Sequence, residues 1–297
     1  MEAITELGFV RNEAARQLRA GRSRTVGFIV LDVGNPYFID VAAGIEDVAI
    51  PLGLSVMLCN SADQRDRAEH YLTLLEEQRV FGVLLTPVPG MGRLISAIQR
   101  RGTPVVLVDS RSNSRQCAVS VDDVVGGVLA AGSLFDRGHT QLAFVGGPQS
   151  LSQVIDRLAG VRQSAERHVA DATVDVVETA AMTFAEGYAA GRRILELPPA
   201  RRPTGICCAN DLLALGLMRA LAQGGARVPD DFAIIGYDDI EFAAASAVPL
   251  SSIRQPTADI GRVAMEFLAE EVLEGLDHTH KHRMFRPELI VRQSSGK

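Results

Sequence analysis

Short apolar runs alternate with amphipathic stretches along almost the whole chain, and few architectures accommodate that pattern. Runs at 26–31, 54–60, 82–86, 105–109, 142–145, 174–178, 205–209 and 232–236 predict strands. Stretches at 38–50, 65–79, 91–101, 123–137, 152–168, 185–197, 212–224 and 258–276 carry helical periodicity. A strand that returns parallel to its predecessor needs a crossover helix, so strict alternation predicts βαβ units. Many runs are apolar at every position, as strands covered by helices on both faces must be. The series runs once over 25–120 and starts again near Leu142, after Arg137-Gly138-His139. The expected class is therefore α/β, with two similar open parallel-sheet lobes and a cleft between them. Ligands in such sheets sit at the carboxyl ends of the strands.

The chain has 297 residues, enough for two separate cores, and is 47% hydrophobic and 22% charged. The net charge is −6, yet residues 11–24 hold Arg11, Arg16, Arg19, Arg22 and Arg24 against one acid, Glu13. A basic arm on an acidic body suggests a polyanion partner. No apolar run approaches the ~18 residues of a membrane span, and no apolar stretch follows the first arginines as in a signal peptide. A cytoplasmic location is expected. Cys59, Cys117, Cys207 and Cys208 lack CxxC spacing; Cys59, Cys207 and Cys208 sit in apolar runs and read as buried free thiols. Glycine-rich nucleotide loops, a P-loop and a nucleophile elbow are absent from the sequence, so no cofactor and no catalysis are expected. His278-x-His280-x-His282 reads as a solvated loop, and no metal site is expected.

Polar residues cluster where the predicted strands end. Asp32 to Phe38 follow the first, Asp109-Ser110 the fourth, Asn210-Asp211 the seventh and Tyr237-Asp238-Asp239 the eighth. Arg157 lies in the helix after the second series opens, and Ser252 to Gln255 precede the last helix. Each has a plain structural use: Asn35-Pro36 as a turn, Asn210 as a helix cap, Asp109 as a turn cap, Arg157 as a surface ion-pair partner. The set carries more than any member, because its features fall at one end of successive strands. Aromatic faces stack on the C–H face of a sugar, and carboxylates, amides and a guanidinium bond its hydroxyls.

Residues 8–27, with Asn12-x-x-Ala15-Arg16-x-Leu18, resemble the hinge of LacI/GalR transcription regulators. The likeness continues through Asn35-Pro36-Tyr37-Phe38, Arg157-Leu158-Ala159-Gly160, Asn210-Asp211-x-x-Ala214-x-Gly216 and Gly236-Tyr237-Asp238-Asp239. It ends in residues 249–256 and 287–292. The resemblance implies a core of the periplasmic-binding-protein type I fold, with an N-terminal lobe of 25–121 and 257–283 and a C-terminal lobe of 122–256 and 284–297. Residues 1–24 would then be the remnant of a DNA-binding headpiece plus hinge helix. A sugar or polyol effector would touch Asn35, Tyr37, Phe38, Asp109, Arg157, Asn210, Asp238 and Gln255. The family places an aromatic near Met182 to stack on the ligand; here Met182 stands there and Phe184 lies two residues on. Asn12, Arg16, Leu18, Arg19 and Arg22 would contact an operator, with Leu18 as the minor-groove wedge. The resemblance further implies a homodimer whose lobe closure alters DNA binding. Residues 1–8 resemble only the end of the family's helix-turn-helix domain, which leaves a truncated regulator, a misplaced start or a trimmed chain. An importer's sugar-binding protein, or a sensor without specific DNA binding, are the alternatives.

Overall fold

The computed structural model describes residues 22–111, 115–168 and 172–296. Of the hinge residues, only Arg22 falls among these; Asn12, Arg16, Leu18 and Arg19 lie outside the described residues. The Arg22 guanidinium donates to the Gly102 carbonyl at 3.1 Å.

The first βα series, joined by one late strand, builds the first sheet. Its strands are β1 (Thr25–Val30), β2 (Ser55–Asn60), β3 (Gly82–Leu85), β4 (Val105–Val108), β5 (Ala118–Val121) and β11 (His282–Phe285). They lie in the order β11-β5-β4-β3-β1-β2, and all pair in parallel. The second sheet holds β6 (Gln141–Gly146), β7 (Thr173–Glu178), β8 (Gly205–Cys208), β9 (Ala233–Asp238), β10 (Ser251–Arg254) and β12 (Glu288–Ile290). Its order is β12-β10-β9-β8-β6-β7, with only β12 antiparallel. Strands β3, β4, β5, β8 and β9 are buried at every residue, as covered strands should be. The outer strands β2 and β7 are partly exposed, because each is paired on one side only.

The helices follow their strands. They are α1 (Pro36–Ala49), α2 (Arg65–Glu77), α3 (Gly92–Arg100), α4 (Asp123–Phe135), α5 (Ser152–His168), α6 (Phe184–Glu196), α7 (Asp211–Gln223), the short α8 (Glu241–Ala245) and α9 (Thr257–Glu274). Helices pack closest where glycine meets backbone. A β-carbon on Gly127 would overlap the Arg157 carbonyl, and one on Gly160 the Val124 carbonyl. These two glycines let α4 and α5 cross at backbone distance. Gly44 with Gly261, and Gly187 with Gly216, do the same for α1 with α9 and for α6 with α7.

The chain passes between the sheets three times: from β5 into α4, from β10 into α9, and from β11 into β12. All four cysteines are free and buried, including the three expected to be so.

Candidate functional site

Strand ends supply much of the site, and at some of them an N-cap side chain turns the chain into the next helix. Asn35 caps α1, its Oδ1 accepting the Tyr37 N–H at 3.1 Å, with Pro36 preset for the first turn. Asp122 caps α4 through the Val125 N–H at 3.1 Å, and Asn210 caps α7 through the Leu213 N–H at 2.9 Å. The sequence alternatives of cap and site residue are thus not exclusive. The Asn210 amide N–H still donates to the Met182 carbonyl at 2.9 Å, and that of Asn35 to Asp238 Oδ2 at 3.0 Å.

A cavity of about 210 Å³ lies between the two sheets. Leu31, Asp32, Asn35, Phe38, Ala62 and Asp63 line it from the first sheet, and Ala181, Met182, Thr183 and Asn210 from the second. Asn35 connects it to a buried polar cluster drawn from both sheets. Asp238 accepts from Asn35 and, at 2.8 Å, from the Gln255 amide. Asp109 accepts from Gln153 at 3.1 Å. Arg157 donates to Asp123 at 2.8 Å and to the Ala209 carbonyl at 2.7 Å, and its guanidinium lies 3.7 Å from the Tyr237 ring centroid. Asp238 Oδ1 is 3.9 Å from Arg157 Nη1.

This cluster is short of positive charge. Asp109, Asp123 and Asp238 are all buried and face one buried guanidinium, Arg157. Burial, with repulsion from Asp123 adding to it, pushes the Asp109 carboxyl up to about 7. Burial also pushes Asp238 up to about 6, although Arg157 and the two amide donors pull the other way. Arg157 itself is raised well above its ordinary value, because the surrounding carboxylates outweigh its desolvation. Both acids also sit in the left-handed backbone region, Asp109 at φ 55° and Asp238 at φ 102°. Asp tolerates that region better than most residues, but such conformations persist only where the surroundings hold them. Three buried atoms of the set, Tyr37 Oη, Asp109 Oδ1 and Gln255 Oε1, have no hydrogen-bond partner among the described residues. Each is a place for a ligand hydroxyl or a water.

The expected residues divide into groups. Asn35, Phe38, Met182 and Asn210 line the cavity. Asp109, Arg157 and Asp238 join Asn35 and Gln255 in the polar cluster. Tyr37 is buried against Phe38, edge to face at 5.0 Å. Phe184 stands apart from the cavity lining, at the start of α6 and 47% exposed, so the wall residue is Met182. Asp63, Asp123 and Gln153 were not anticipated. Asp63 lies three residues past the end of β2, and the strand-end rule applied there would have found it. Gln153 precedes Arg157 by one helical turn and shares its face. Asp123 follows β5, whose four residues carry no readable period. One expectation is corrected in part: of the histidines after α9, His280 and His282 are exposed, as expected, but His282 belongs to β11, and the His278 side chain is only 2% exposed with its Nε2 3.1 Å from Cys117 Sγ.

Residues 131–295 match the family of periplasmic binding protein-like domains. The HTH-type transcriptional repressor PurR of Aliivibrio fischeri strain MJ11 is 32% identical, over 99% of this chain and 87% of that protein. The LacI family transcriptional regulator of Enterococcus faecalis V583, solved with bound ribose, superposes with a TM-score of 0.82 at 29% identity, covering 92% of this chain and 98% of that one. The chain belongs to the LacI/GalR family. The transcriptional regulator CelR in complex with cellobiose superposes with a TM-score of 0.80 at 27% identity, over 99% of this chain and 88% of that one. No described helix is long and apolar enough to cross a membrane.

Proposed function

We propose that this LacI/GalR chain is a cytoplasmic, non-catalytic sensor that binds a small sugar or polyol between its sheets and couples lobe closure to DNA binding through its N-terminal hinge. The observation that carries the reading is the convergence of Asn35, Asp109, Arg157, Asp238 and Gln255 from both sheets on one buried cluster beside an interlobe cavity. Its acceptors outnumber its charges of opposite sign, which suits a ligand rich in neutral hydroxyl donors and disfavours an anionic one. Phe38 and Met182 supply apolar walls. The ribose-bound and cellobiose-bound relatives support the ligand class. A thermal-shift screen of pentoses, hexoses, disaccharides, nucleobases and sugar phosphates tests it. Neutral sugars should raise the melting temperature; a rise confined to nucleobases or phosphorylated compounds would overturn the assignment.

We also propose two lobes turning about the three interlobe passages, 25–121 with 257–285 and 122–256 with 286–297; the expected cut after 283 moves to 285, because Met284 and Phe285 still pair with β5 of the first sheet. We further propose a homodimer, since a two-fold operator needs two hinges. An apolar recess on the second-sheet side, lined by Leu215, Met218, Ala222, Ala226, Val228 and Val248, supports a subunit contact there. Sedimentation should give a dimer at micromolar concentration, and a stable monomer would exclude it.

A further inference from the structure

Away from the effector cleft, four donor atoms of the types that bind transition metals lie together. Cys117 precedes β5, Glu271 is on the last turn of α9, and His278 and His280 lie between α9 and β11. Cys117 Sγ is 3.1 Å from His278 Nε2 and 3.9 Å from His280 Nδ1, and the latter is 4.0 Å from Glu271 Oε2. All four atoms lie within 4.8 Å of one another. Tetrahedral zinc, with bonds of about 2.0–2.3 Å, places its ligand atoms about 3.4 Å apart. Small side-chain adjustments would therefore close the set around an ion.

The surroundings favour that occupant. Cys117 is fully buried, which pushes its thiol up to about 11, and the Lys281 backbone N–H that donates to its sulfur at 3.3 Å offsets part of that. Glu271 is 9% exposed, and its Oε2 has no hydrogen-bond partner among the described residues. Glu274 Oε2 lies 2.7 Å from His278 Nδ1. It thereby holds that proton and leaves the Nε2 lone pair for a metal, the usual outer carboxylate of a ligating histidine. A dication, one thiolate and one carboxylate sum to zero charge, which offsets the repulsion from Arg100 and Arg115 along the adjoining cavity of about 390 Å³. That cavity gives the ion a path in.

We propose that Cys117, Glu271, His278 and His280 bind one zinc-class divalent cation. On binding, the thiol proton leaves to solvent as the sulfur–metal bond forms. Thiolate and imidazole donors select zinc over magnesium or calcium, and four protein ligands leave no open position. The ion is structural: it ties the end of α9 and the approach to β11 onto β5, the strand with which β11 pairs.

The untagged 297-residue chain, dialysed against a chelator, is titrated with zinc chloride against a chromophoric competitor, and separately with cobalt(II). One equivalent should bind and raise the melting temperature without any sugar present, and cobalt should show a thiolate charge-transfer band. Cys117→Ser should abolish that band. His280→Gln, at an exposed position, should weaken zinc by more than tenfold, and Glu274→Gln by about tenfold. His70→Gln, on α2, should change nothing. Absence of saturable binding, or one-equivalent binding unchanged in both Cys117→Ser and His280→Gln, would overturn the site. Because sugar is left out, failure here leaves the effector proposal intact.

Discussion

Asp109 and Asp238 hold their protons in the folded chain to a pH at which the unfolded chain has already released them. An ordinary Asp titrates near 4, whereas these are pushed up to about 7 and about 6. Between those values the native state binds more protons than the unfolded one. Their contribution to stability is thus whole below about pH 4 and is lost as pH rises towards about 7. Urea denaturation at about pH 5 and about pH 8 should show the wild type less stable at the higher pH, and Asp109→Asn should flatten that slope; an unchanged slope would mean Asp109 is not the titrating group. Asp238 has a second consequence. Its two oxygens anchor Asn35 and Gln255, so Asp238→Ala frees both amides and removes two acceptors. Sugar affinity should fall by on the order of 2 kcal/mol, or about thirtyfold, in a calorimetric titration. Arg157 is the reverse case. Removing it leaves three buried acids without a counter-charge, and Arg157→Met should cost about 3–5 kcal/mol of stability by denaturant midpoint.

Helices carry these residues to the cleft, and the α4–α5 crossing shows how closely they must be set. Arg157 reaches Asp123 only because Gly127 and Gly160 let the two backbones touch. Gly160→Ala should force the helices apart, costing about 1–3 kcal/mol by urea denaturation and weakening sugar binding as well. A variant as stable as the wild type would show that the crossing has slack. Crossings of this kind are invisible in a sequence, where Gly160 is only a glycine inside a helix. What was legible is what periodicity carries. The α5 bounds agree at both ends, and the long helices and eight apolar strands stand within one or two residues of their expected limits. Strands β5, β10, β11 and β12 were not read as strands. Each has three or four residues, and sequences such as Ser251–Arg254 and His282–Phe285 are polar enough to pass for loop. Their extended state comes from the neighbours they pair with, not from their own propensity. The same cause hid Asp123 and the Cys117 cluster, both of which adjoin β5. Asp109, Asp238 and Asn210 were legible because they sit just where an apolar run stops.

Among the described residues, few polar contacts hold the two sheets together across the cleft. Asn35 to Asp238 and Gln153 to Asp109 are buried hydrogen bonds between the sheets, at 3.0 and 3.1 Å. The ion pair of Arg111 with Asp156, at 3.1 Å, is half exposed on the arginine side and contributes little. Two net hydrogen bonds of roughly 1 kcal/mol each are comparable to the small free-energy gaps that separate open and closed states. Three short chain passages between rigid sheets allow a hinge motion, and a ligand that bonds both sheets would add the differential affinity needed to drive it. Solution scattering of the wild type should therefore show a smaller maximum dimension with saturating sugar than without. The double variant Asn35→Ala/Gln153→Ala should be the more open form in the absence of ligand and should need more sugar to close, because the two bonds that bias it are gone while the hinge is untouched. If wild-type curves with and without sugar coincide at saturation, lobe closure is not how this chain transmits its signal.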